Sequence, residues 1–134
     1  MSANAFVLRL PATVDAVPTA RHELAKVAYG YGADLFAVRV VVTELVGNAV
    51  RHAYVGRDDP GTVVIRANRD KNWLLILVAD DGAGMRTELH TRGLGIGMAL
   101  ATELTHHLRI ESDANGTTVF ARFPLSEHCC LDVA

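Results

Sequence analysis

The run Leu74-Leu75-Ile76-Leu77-Val78 is apolar at every position and stops at two carboxylates, Asp80 and Asp81. A continuous apolar run of this length predicts a buried strand. Gly82 and Gly84 follow directly. After a short polar connection come Gly93, Gly95 and Gly97, and then a helix-prone segment from Met98 to Leu104. Glycine is costly to order, so a cluster of it marks backbone that must approach another group closely or take a positive φ. Unpaired N–H groups at a helix start, together with the helix dipole, favour an anion. The local chemistry predicts a cradle for a polyphosphate, with Asp80 at its far edge.

Two common phosphate-binding patterns do not fit. A dinucleotide fingerprint starting at Gly93 needs glycine where Met98 stands and a strand where His90-Thr91-Arg92 stands. A P-loop needs Gly-Lys-Ser/Thr, and the lysines of this chain are Lys26 and Lys71.

At 134 residues the chain is the size of one domain, expected over 1–125 with a frayed tail over 126–134. Hydrophobic residues make up 50% and charged residues 21%, the balance of a soluble globular domain. A formal charge of −2 gives no general drive toward nucleic acid or an anionic membrane. No signal-peptide pattern and no run of membrane-spanning length occurs. Cys129 and Cys130 are adjacent, which suits neither an ordinary disulfide nor a zinc site. They read as free thiols in a reducing cytoplasm. Asn115-Gly116-Thr117 reads as a turn.

In chain order, Phe6 to Leu10 is a strand ended by Pro11. Thr13 or Asp15 can cap a helix with an apolar stripe at Ala20, Leu24, Val27 and Ala28, and Gly30 and Gly32 end it. Asp34 caps a second helix from Leu35 to about Tyr54. Thr62 to Asn68 alternates as a strand, with Val63, Ile65 and Ala67 on one face. Asp70-Lys71-Asn72 turns the chain into Trp73 to Ala79. A third helix runs from Gly97 to about His106. Leu108 to Glu111 and Thr117 to Phe123 form a last hairpin around Asp113-Ala114-Asn115-Gly116. The order β-α-α-β-β-α-β-β predicts an α/β two-layer sandwich: a mainly antiparallel mixed sheet covered on one face by three helices.

The second helix is apolar at Leu35, Phe36, Val38, Val40, Val41, Val42, Leu45, Val46, Ala49 and Val50, so burial around most of its circumference is expected. Glu44, Asn48, Arg51 and His52 interrupt it at spacings of three and four, which places them on one face. Gly47 sits among them and allows close approach. Glu44 and Asn48 offer two oxygen ligands one turn apart. Magnesium takes few protein oxygens and keeps its other positions for water and phosphate. A carboxylate beside such a metal is also a candidate general base.

Together these segments resemble the GHKL-type ATPases, the superfamily of gyrase, histidine-kinase and mismatch-repair ATP-binding domains (the Bergerat fold). Thr43 to Tyr54 is similar to the family's N box. Asp80-Asp81-Gly82-Ala83-Gly84 is similar to its D-x-G-x-G box, Gly93-Leu94-Gly95-Ile96-Gly97-Met98 to its second glycine box, and Gly116-Thr117-Thr118-Val119 to its late Gly-Thr box. The His-Ala-Tyr ending of the N box, the domain-only length and Gly-Thr-Thr-Val resemble most the stand-alone bacterial anti-sigma factors that are also serine-protein kinases.

The resemblance implies that the chain binds ATP with Mg²⁺. Asn48 would hold the metal and Glu44 would act as base. Asp80 would accept a hydrogen bond from the adenine amino group, and Gly82 and Gly84 would let adenine approach. Gly93, Gly95 and Gly97 would give amide donors to the phosphates, with Arg92 or Arg86 near the γ-phosphate. Thr117 or Thr118 would help fix adenine. The implied partners are a sigma factor and an antagonist carrying the phosphorylated serine, with the protein a homodimer. Met85 to Arg92 is short for an ATP lid of this superfamily. Two alternatives are a nucleotide-dependent binding switch with little kinase activity and the catalytic domain of a split histidine kinase. The latter is disfavoured because no phosphoacceptor helix pair precedes the domain.

Overall fold

The computed structural model describes residues 5–53, 61–81, 102–113 and 116–126. Strand β1 is Phe6–Pro11, helix α1 Ala16–Tyr31, helix α2 Leu35–Ala53, β2 Thr62–Asp70, β3 Trp73–Asp80, β4 His107–Asp113 and β5 Gly116–Pro124. The strands form one sheet in the order β1-β2-β3-β5-β4. Every pairing is antiparallel, so among the described residues the sheet has no parallel component. The third helix falls largely outside the described residues, of which 102–104 are helical. No helix of the described residues is long and apolar enough to cross a membrane.

Alternation places Leu74, Ile76 and Val78 of β3 on the same side as Val63, Ile65 and Ala67 of β2 and Val119, Ala121 and Phe123 of β5. All are buried under the helices. α1 contributes Ala16, Ala20, Leu24 and Ala28, a stripe of mostly small residues. α2 contributes Val38, Val41, Val42, Leu45, Val46, Ala49 and Val50. Phe36 departs from the expected burial: it is 63% exposed on the outer side of α2.

Local chemistry sets the helix ends. Asp15, one of the two expected caps, occupies the start of α1 without a side-chain cap bond. A backbone turn leads in, with Ala16 N–H donating to Thr13 O at 2.9 Å. Gly32 alone terminates α1. It is left-handed at φ 76°, and Ala33 N–H donates back to Ala28 O at 2.9 Å, a Schellman closure. Gly30, also expected to end the helix, lies inside it. Asp34 does cap α2, its Oδ1 accepting from Ala37 N–H at 3.1 Å. Asp34→Ala is expected to cost about 1 kcal/mol, read as a lower urea midpoint at unchanged slope. An unchanged midpoint would remove this cap from the account of α2.

Ser126, expected to begin a frayed tail, is instead tied down. Its N–H donates to Gly32 O at 3.1 Å, and Leu125 N–H donates to Asn72 O at 2.8 Å. Leu125 also bridges Ala33. Residues 127–134 lie outside the described residues.

Candidate functional site at the Asp80 end of the sheet

The Leu125–Ala33 bridge puts the start of α2 beside the end of β5. From Leu35 to Asn48 a helix rises about 20 Å at 1.5 Å per residue. From Pro124 back to Thr117 a strand covers about 23 Å at 3.3 Å per residue. α2 packs on β2, β3 and β5, so it carries Asn48 toward the end of the sheet where β3 finishes and β5 begins.

At that end Asp80 pairs with Val63 on one side and Thr117 on the other, and Thr117 pairs with Ser112 of β4. Asp80 has the parity of Val78 and therefore faces the helix layer. Thr117 faces the same layer and is buried at 4% exposure. Its hydroxyl lies 2.9 Å from Ser112 Oγ. Thr118, offered with Thr117 as an adenine contact, pairs with Ala79 and projects to the opposite face. Of the two threonines, only Thr117 shares a face with Asp80.

Asn48 is 6% exposed. Among the described residues, Asn48 and Thr117 are the buried polar or charged side chains. Burying such groups is unfavourable unless hydrogen bonds or a ligand compensate. Asn48 Oδ1 accepts from Arg51 Nη2, one turn along α2. Glu44, one turn before Asn48, is half-buried. It borders a shallow concavity shared with Arg21, Phe36, Arg39, Val40 and Thr43. Thr43 Oγ1 donates to Arg39 O at 2.7 Å and accepts from Arg21 at 3.4 Å. At Gly47 an added Cβ would meet only Arg51 Nη1 at 3.8 Å, so no described residue requires glycine there.

Two residues acquire roles that the sequence alone did not assign. Asp81 accepts from Thr62 N–H through Oδ1 at 3.1 Å and ties the end of β3 to the start of β2. Gly116 has φ 147°, and a Cβ on it would stand 2.0 Å from Asp80 O. Only glycine lets β5 approach the Asp80 backbone this closely. The signal was its place at the head of the Gly-Thr-Thr-Val box. Gly82, Gly84, Arg86, Arg92, Gly93, Gly95 and Gly97 lie outside the described residues, as does the side chain of His52. No cluster of three or more acidic, His or Cys side chains that could hold a metal occurs among the described residues.

The donor set still fits magnesium on a nucleotide: a buried amide oxygen at Asn48 and a carboxylate at Glu44, one turn apart. A sequence model of the histidine kinase-like ATPase domain matches residues 10–123. The chain belongs to this family. The matched region spans every element from the end of β1 to β5, so the buried pair and the Asp80 end of the sheet fall within the ATPase domain.

The domain is 36% identical over 96 residues to the sensor histidine kinase PdtaS of Mycolicibacterium smegmatis, a match covering 66% of this chain and 19% of that protein. It therefore corresponds to about a fifth of that kinase. It is 28% identical over 106 residues to an anti-sigma F factor of Halalkalibacterium halodurans, covering 70% of this chain and 72% of that protein. It is 27% identical over 135 residues to the serine-protein kinase RsbW of Bacillus pumilus, covering 87% and 83%. Among solved structures, the RsbU and RsbW domains of Rv1364c from Mycobacterium tuberculosis align with a TM-score of 0.73 and 27% identity, over 93% of this chain and 33% of that one. These likenesses agree with the α/β sandwich and the family resemblance read from the four boxes.

Proposed function

We propose that this domain binds ATP with Mg²⁺ at the Asp80 end of the sheet. It transfers the γ-phosphoryl group to a serine of an antagonist protein and sequesters a sigma factor, in partner-switching control of transcription. The carrying observation is the coincidence of burial and motif: Asn48 and Thr117 are the buried polar side chains of the described residues, and both stand in ATPase boxes. The likeness to an anti-sigma F factor and to a serine-protein kinase supports the choice of branch. A cytoplasmic homodimer belongs to the same reading.

In this reading the residues divide the work. Asp80 accepts from the adenine amino group. Gly82, Gly84 and Gly116 keep that edge free of side chains, and Thr117 closes it from β5. The amides near Gly93, Gly95 and Gly97 hold the phosphates, with Arg92 or Arg86. Asn48 presents its amide oxygen to the metal, which when bound neutralises triphosphate charge. Glu44 takes the proton of the serine hydroxyl as its oxygen bonds phosphorus and ADP departs.

Asp80→Asn is expected to weaken ATP binding by roughly 1.5–3 kcal/mol, the range for a hydrogen bond to a charged group. That is about ten- to a hundred-fold in affinity. Titration calorimetry of wild type and variant with ATP and GTP checks it. Equal affinity of the wild type for both nucleotides would sink the adenine assignment.

The higher identity to a sensor histidine kinase favours one second reading, an ATP-binding module that phosphorylates histidine. Acid treatment of the labelled product separates the two, since phosphoserine survives acid and phosphohistidine does not.

A further inference from the structure

The sheet face turned away from the helices is not built as a solvent face. β3 is apolar on both sides, yet the helices cover only Leu74, Ile76 and Val78. Leu75 and Leu77 project to the other side, where Leu77 pairs with Phe120 and Leu75 with Arg122. They line a concavity of about 360 Å³. Among the described residues its lining includes Arg66, Arg109, Arg122 and His107 and no carboxylate. The whole chain carries −2, so this is a local basic excess against the overall sign.

The guanidinium groups are organised rather than loose. Arg109 Cζ lies 4.5 Å from the Phe120 ring centroid and Arg122 Cζ 4.3 Å from that of Trp73. Stacking of this kind orients a guanidinium while leaving N–H donors at its edge. Arg122 Nε is buried with no hydrogen-bond partner among the described residues. Glu111 lies 3.5 Å from Arg109 Nε, in a pair with side chains 58% and 60% exposed. Such a pair is screened and easily exchanged.

We propose that this face docks an acidic amphipathic helix of a partner protein. Its apolar anchors would fill the concavity over Leu75, Leu77 and Phe120, and its carboxylates would meet Arg66, Arg109 and Arg122. Charge complementarity selects this occupant. A second copy in two-fold contact would bring one basic lining against another. A single strand that stacks its bases would meet rings of Phe120 and Trp73 that each already carry a guanidinium. The docking face and the Asp80 site lie on opposite sides of the sheet, so neither assignment depends on the other.

The test uses the full chain without nucleotide and a synthetic helical peptide with Leu at spacings of three and four flanked by Glu. A twin carries Lys for every Glu. Trp73, the only tryptophan, reports from the edge of the face. The expected result is a saturable change in Trp73 emission with the acidic peptide and none with its twin. Affinity should fall about tenfold or more in the Arg66→Glu/Arg109→Glu double variant, and fall again at high salt. Both arginines are exposed, and circular dichroism confirms that the variant is folded. Absence of saturable binding, equal binding of both peptides, or unchanged affinity in the variant would overturn the proposal. Tighter binding of an oligodeoxythymidine would overturn it in favour of nucleic acid. Self-association that excludes the peptide, seen by sedimentation, would overturn it in favour of a second copy.

Discussion

Glu44→Gln is expected to leave ATP affinity within a few-fold and to slow serine phosphorylation of an antagonist by roughly 10²–10⁴-fold, the usual contribution of a general base. Phosphoryl transfer asks little covalent chemistry of the protein, because positioning and charge neutralisation dominate. In a chain without a P-loop lysine, the proposed function leaves neutralisation to a metal that Asn48 would hold and to the amides assigned to the glycine boxes. What remains is removal of the hydroxyl proton. Glu44 stands one helical turn from Asn48 and is half-buried, and glutamine keeps its shape without its basicity. Asn48→Ala should behave differently. It removes the proposed metal ligand and leaves Arg51 without the Asn48 acceptor, so binding and transfer are expected to fall together. Single-turnover phosphorylation beside equilibrium binding distinguishes the two. Wild-type transfer by Glu44→Gln would refute the base assignment. If the wild-type protein phosphorylates no antagonist and hydrolyses no ATP, a nucleotide-dependent binding switch replaces the kinase.

Gly116→Ala is expected to damage fold and site together. The new methyl would sit 2.0 Å from the carbonyl oxygen of Asp80 and 3.2 Å from Asp81 Cα, both backbone atoms that no rotamer change can move aside. The φ of 147° adds strain for any residue with a Cβ. Strain of about 1–3 kcal/mol and overpacking of about 1–3 kcal/mol together give a loss of roughly 2–6 kcal/mol. Relief requires β5 to separate from β3 at the Asp80–Thr117 pair, so the edge proposed to hold adenine opens as well. Gly30→Ala is the matched control. It lies inside α1 with nothing within 4 Å of the added Cβ, and a gain of about 0.5–1 kcal/mol is expected. Urea denaturation and ATP titration of both variants check the pair. A Gly116→Ala protein of native stability and affinity would show that this close approach is not required.

Much of the architecture was legible because local rules carry it. The alternation of Val63, Ile65 and Ala67 put them on one face, and the structure buries that face. The Lys71-Asn72 connection joins β2 to β3 as expected. Asp34 lies where an N-cap belongs and makes the bond. The polar interruptions of α2 were legible as one face because a helix brings residues three and four apart together. The four boxes then pointed to the family that residues 10–123 match.

What the linear pattern did not decide were questions of which neighbour lies across a face. Periodicity separates odd from even positions in a strand, yet it does not say which set the helices cover. The uniform run Leu74 to Val78 read as a buried strand with no face marked by polarity, and Leu75 and Leu77 came to lie on the face away from the helices. The choice between Thr117 and Thr118 turned on the register of β5 against β3. The role of Asp81, on which the sequence was silent, turned on where β2 begins, because Thr62 N–H donates to that carboxylate. The role of Gly116 rested on a contact with Asp80, far away in sequence. By itself the sequence determined most of the elements, the alternation of their side chains and the family, since the boxes and the periodicity each depend on residues within a few positions of one another. The tertiary structure alone decided which face is covered and which side chains meet at the Asp80 end. Strand order places β5 between β3 and β4, and such pairing is settled by packing across the whole core rather than by any local preference.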